Sequence, residues 1–126
     1  MVSFEDVSTD PAYRTLVGQA LEAPNELMIF GVSLDRNYAR RIDKCVLTQR
    51  PGLDGPEVIV RGTVPAGTLF TVSGVERCID CLFEERVELL LSTSAHTPCG
   101  SAPITINHSQ LGSLLVPTRF AHVAPN

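Results

Sequence analysis

Residues 56–81 constrain the chain most: Pro-Glu-Val-Ile-Val-Arg-Gly-Thr-Val-Pro-Ala-Gly-Thr-Leu-Phe-Thr-Val-Ser-Gly-Val-Glu-Arg-Cys-Ile-Asp-Cys holds its densest β signal. Alternation puts Val58 and Val60 on one face and Ile59 on the other, which predicts a strand covered on both sides. Pro65-Ala66-Gly67 turns the chain. Residues 68–72 alternate again, with Leu69 opposed to Phe70 and Val72, and Ser73-Gly74 marks a bulge or turn. Two strands, a tight turn and a paired-cysteine loop follow from these residues alone.

The flanking segments extend the pattern. Residues 27–34 are apolar and partly β-branched after the breaker Pro24-Asn25, and read as the first strand. Residues 45–49, 86–91 and 104–108 are further short strands, and 114–123 the last, with Pro117 placing it at an edge or interrupting it. Residues 50–56, with Pro51, Gly52, Asp54-Gly55 and Pro56, form a loop. Before the first strand, Asp10-Pro11 opens a short helix, because Asp caps free N–H groups and Pro at the first helical position gives up no hydrogen bond. Tyr13, Leu16, Val17 and Leu21 share a face at helical spacing, and Gly18 stops the helix. Residues 1–9 are polar and read as a loosely held arm.

About six or seven short strands at this spacing predict a mostly β fold, a small antiparallel barrel or sandwich with one short N-terminal helix. Long helices alternating with strands are absent, which excludes a doubly wound α/β fold. The run from Val58 to Val72 resembles the central hairpin of bacterial SH3-like barrels, where a strand, a small-residue turn with Gly and a β-branched strand recur. The resemblance implies a small barrel and carries over no functional residue.

At 126 residues the chain has material for one domain, residues 1–126, with a real core. Its net charge of −4, with no Trp, offers neither a basic field for a phosphate backbone nor a stacking platform. Nucleic acid is therefore not the expected partner. The longest apolar runs, at residues 27–30 and 89–91, fall far short of the roughly 18 to 20 residues that span a bilayer. The acidic start lacks the charged and apolar regions of a signal peptide, so either the chain stays in the cytoplasm or its signal has been removed.

Cys45, Cys78, Cys81 and Cys99 carry the sharpest chemistry. An even number of cysteines in a small turn-rich β chain predicts two disulfides and an oxidising compartment, periplasmic or secreted. Three pairings are open. The alternative is an intracellular zinc- or thiol-dependent protein using the same four sulfurs, with His96 near Cys99 as a further ligand. A zinc ribbon normally shows two Cys-x-x-Cys knuckles, however, and Cys45 and Cys99 each stand alone. Redox catalysis at Cys78-Ile-Asp-Cys81 is disfavoured, since Glu76, Asp80, Glu84 and Glu85 would raise the thiolate pKa and no βαβ pattern surrounds the motif. Structural staples are the expected role.

The one basic cluster, Arg36, Arg40, Arg41 and Lys44, is a solvated loop neutralised by Asp35 and Asp43, or a contact for an anion or acidic partner. His96, His108 and His122 lie on separate segments, and no nucleophile elbow, phosphate loop, metalloprotease helix or dinucleotide fingerprint accompanies them. Glu84, Glu85 and Glu88 read as a solvated turn. The expected protein is a disulfide-stapled extracytoplasmic binding or interaction module with no cofactor and no evident catalysis, contacting a protein partner or small ligand.

Overall fold

A computed structural model describes residues 3–34, 41–52, 54–81 and 86–118. The protein is mostly β. Its strands are β1 (Phe4–Asp6), β2 (Ala20–Glu22), β3 (Leu27–Val32), β4 (Lys44–Thr48), β5 (Val58–Val64), β6 (Leu69–Cys78), β7 (Val87–Ser92), β8 (Ile104–Asn107) and β9 (Val116–Pro117). They form one sheet in the order β5-β3-β4-β8-β7-β6-β2-β9, with β1 added beside β6. β5 and β9 end this path without pairing to each other, so the sheet is open rather than a closed barrel or two stacked sheets. Among the described residues, the named strands all pair antiparallel except β4 with β8, which run parallel through Cys45↔Ile104 and Val46↔Thr105.

The hairpin of residues 56–81 is present. Gly67 takes the left-handed conformation at φ 89 that a side chain resists, and Thr68 N–H closes the turn on the Pro65 carbonyl. The register between β6 and β7 shifts between Val72 and Gly74, at the bulge that Ser73-Gly74 predicts. Pro117 sits in the edge strand β9, where its missing N–H costs no ladder bond.

Alternation then builds the core. Leu27 and Ile29 of β3, Cys45 and Leu47 of β4, Phe70, Val72 and Val75 of β6, Leu89 and Leu91 of β7, and Ile104 and Ile106 of β8 are buried in one contiguous cluster. Side chains from both ends of so wide a sheet meet only if its inner face wraps around them. The outer face is not bare either. Phe30 is fully buried on it, against Gly52, which holds φ 86 and where an added Cβ would stand 2.3 Å from the Phe30 ring. Arg61 lies 5.7 Å from the same ring.

Two expectations about the N-terminus are corrected. The predicted helix is a series of turns: Asp10 does cap, accepting from Ala12 N–H at 2.9 Å, but Leu16 N–H and Gln19 N–H each bond three residues back. Gly18 leaves the helical region at φ 89 and its N–H goes to the Val72 carbonyl at 2.7 Å, which delivers Leu21 to β2 instead of a helix face. Tyr13 and Leu16 still pack on the core, while Val17 is exposed. The arm is also tied down, because Phe4, Glu5 and Asp6 pair with Cys78, Arg77 and Glu76. Arg77 donates to Glu5 Oε1 from Nε at 3.0 Å and Nη2 at 2.6 Å, so this short polar strand is held across the sheet.

Candidate functional site

The four cysteines form two disulfides, Cys45–Cys99 and Cys78–Cys81, and none is free. Cys45–Cys99 is buried in the core and ties β4 to the loop between β7 and β8. Cys78–Cys81 closes a tight loop at the end of β6, with Ile79 exposed at its tip. Asp80 Oδ1 lies 3.7 Å from Cys78 Sγ and accepts from Ser3 N–H at 2.7 Å. With every sulfur paired, no thiolate is left to ligate zinc or attack a substrate. Among the described residues no group of three or more His, Cys, Asp or Glu converges on a point.

The basic cluster divides. Arg36 and Arg40 lie outside the described residues, as do His122, Glu84 and Glu85. Arg41 Nε pairs with Asp43 Oδ1 at 2.8 Å, and Asp43 Oδ2 accepts from Leu34 N–H at 2.8 Å. That backbone bond first, with Arg41 beside it and burial opposing, holds the Asp43 carboxyl below its ordinary value of 3.8. Lys44 turns away from this group. On β4 it shares a face with Val46, not with the core residues Cys45 and Leu47.

There Lys44 meets a residue that reads in sequence as part of a solvated turn. Glu88 is only 4% exposed, near the start of β7, where it pairs with Glu76 of β6 and Asn107 of β8. Lys44 Nζ donates to its Oε1, while Arg86 Nε and Nη2 donate to its Oε2 at 3.0 and 2.8 Å. A carboxylate this buried is tolerated only when its oxygens are satisfied, and here two cations do so. Phe4 covers the group, with its ring centroid 5.5 Å from Lys44 Nζ and 5.9 Å from Arg86 Cζ. Both cations are thus fixed by the carboxylate and the ring together.

Beside this triad opens a pocket of about 310 Å³, lined by Lys44, Val46, Arg86, Glu88, Thr105, Ile106, Asn107 and Gln110. The short 3-10 helix His108–Gln110 forms one wall through a capping box: Asn107 Oδ1 accepts from Ser109 N–H at 3.0 Å, and Gln110 Oε1 accepts from Asn107 N–H at 2.9 Å. Thr105 is 4% exposed and lines the pocket. The two described histidines are not part of the lining: His96 is exposed, and His108 meets Tyr13 edge-on at 5.7 Å.

Sequence reasoning reached Lys44, took Glu88 for part of a solvated turn, and missed Arg86, Asn107 and Gln110. One signal was available, since Arg86 and Glu88 are two apart on a predicted strand and so share a face. Compared with known families, curated proteins and solved structures, the chain matches none. Fold and site therefore define the class by themselves: a mostly β domain, stabilised by two disulfides, with a charged pocket on its sheet.

Proposed function

We propose that the protein is an extracytoplasmic binding module, periplasmic or secreted, that holds a small ligand or a partner's side chain in the Lys44–Arg86–Glu88 pocket without cofactor or catalysis. One observation carries this reading: the pocket's charged groups, from β4 and from the start of β7, are locked by one another before any ligand arrives. Such preorganisation cuts the ordering cost of association. Groups tied up as mutual partners serve recognition better than proton transfer, which needs a side chain free to change its charge. The two disulfides support the compartment, since oxidising surroundings maintain them. The net charge of −4 favours a small molecule or protein over nucleic acid.

The test is a ligand screen on the 15N-labelled protein, with anionic, neutral and cationic small molecules read at the backbone amides of Lys44, Arg86, Asn107 and Gln110. Saturable shifts confined to these amides with at least one class are expected. A set in which no class moves them would overturn the assignment of binding to this pocket.

A further inference from the structure

The hydrogen bonds around the pocket determine what chemistry it presents. Gln110 Oε1 is committed to the Asn107 N–H, and Asn107 Oδ1 to the Ser109 N–H and hydroxyl, at 2.9, 3.0 and 2.9 Å. A backbone N–H bonds only to an oxygen, so the orientation of both amides is set by their partners, and each leaves its NH2 group as a donor without an acceptor among the described residues. Glu88, the one carboxylate among the described lining residues, has both oxygens engaged by Lys44 and Arg86. Lys44 carries three N–H donors and Arg86 five, more than the carboxylate uses. The lining is therefore rich in donors and holds two cations against one carboxylate. Glu76 stands opposite Glu88 on β6 but is not part of the lining.

Resting on the binding-module reading, we propose that the ligand is a small oxyanion, a carboxylate or phosphate group, gripped by Lys44, Arg86 and the amide nitrogens of Asn107 and Gln110. Oxygens of such a group accept from several donors at once, and bonds to charged donors are about twice as strong as neutral ones. The hydroxyl of Thr105 adds one more donor. A volume of about 310 Å³ suits a small organic acid or phosphate monoester.

The experiment titrates inorganic phosphate, succinate, glucose and choline into the 15N-labelled protein at low ionic strength, with sodium chloride matched, reading the side-chain NH2 signals of Asn107 and Gln110. Two variants test the site while preserving the cap: Gln110→Glu and Asn107→Asp keep the accepting oxygen of the capping box, remove the NH2 donor and put a negative charge in its place, both of which act against a bound oxyanion. Saturable shifts with phosphate or succinate, weakened about tenfold or more in either variant, are expected. Which of the two binds tighter identifies the anion's chemistry. Glucose or choline binding without either anion would overturn the oxyanion assignment and leave the pocket's binding role standing. Anion shifts that survive unchanged in both variants would also overturn it, and no shift from any probe would sink both readings. Native urea midpoints for the variants exclude misfolding as the cause of a lost shift.

Discussion

Replacing Glu88 with Gln tests the site where its energetics are most exposed to refutation. The amide keeps the shape of the carboxylate but removes its charge, which leaves Lys44 and Arg86 facing each other with no anion between them. The two cations differ in access to water: the Lys44 side chain is 13% exposed and the Arg86 side chain 38%. Arg86 can rehydrate, so losing its pair costs no more than about 1 kcal/mol, as for surface pairs. Lys44 cannot, and stranding one member of a buried pair costs about 3 to 5 kcal/mol. Discounting for the partial exposure of Lys44, we expect Glu88→Gln to lose about 3 kcal/mol. Lys44→Met should lose about 2, because Glu88 keeps Arg86. The double variant strands no buried lysine, so its loss should also be about 3, a coupling of about 2 kcal/mol. With no Trp in the chain, the assay is urea unfolding followed by far-UV circular dichroism. At a slope of about 1.5 kcal/mol/M the Glu88→Gln midpoint falls by about 2 M. A fall under about 0.3 M, or single losses that simply add, would refute the claim that this triad acts as one buried unit.

The disulfides should contribute unequally. The Cys45–Cys99 closure, with a sequence separation of 54, gives about 4 kcal/mol by loop entropy, against about 2 kcal/mol for Cys78–Cys81 with a separation of 3; paired Cys→Ala variants compared by urea midpoint check the order. Mild reductant followed by alkylation and mass spectrometry should open Cys78–Cys81 first, since the other pair is buried in the core. Gly52→Ala should lose about 2 kcal/mol or more, as it adds a left-handed side chain directly into Phe30, and an unchanged melting temperature would contradict the packing described. Asp6, lowered by the Ser8 hydroxyl and N–H beside it, and Asp43 each stabilise the fold fully above the unfolded carboxylate range near 3.8 and lose that contribution as pH falls through their lower folded values. Urea midpoints should therefore be insensitive to these two groups from pH 7 to about 5 and fall below about 4, with Asp43→Asn reducing the acid dependence.

What the sequence reveals depends on how local each cause is. The hairpin, its Gly67 turn and the bulge at Ser73-Gly74 rest on neighbours a few positions apart, and all three are legible. The N-terminal helix fails because its local propensity competes with a distant acceptor: the Val72 carbonyl takes the Gly18 N–H and draws residues 20–22 into the sheet. β1 escapes notice for the same reason, since Phe4-Glu5-Asp6 has no strand signal of its own and is held by Arg77 and β6. In the pocket, Arg86 and Glu88 could be placed on one strand face by spacing. Lys44 could not be joined to them without the parallel β4–β8 pairing, which no periodicity encodes.

The staples and the pocket are parts of one arrangement. Cys45 directly follows Lys44, so the Cys45–Cys99 bond anchors the strand from which Lys44 reaches Glu88. Cys78 pairs in register with Phe4 and donates its N–H to the Arg86 carbonyl at 2.8 Å. The second disulfide therefore fixes the corner that carries both the covering ring and the second cation. By loop entropy alone Cys78–Cys81 contributes about half as much as Cys45–Cys99. Its placement accounts for it better than its energy does: it constrains the backbone from which Arg86 reaches the pocket and Phe4 covers the two cations, where a displacement of about 1 Å is enough to spoil a preorganised site.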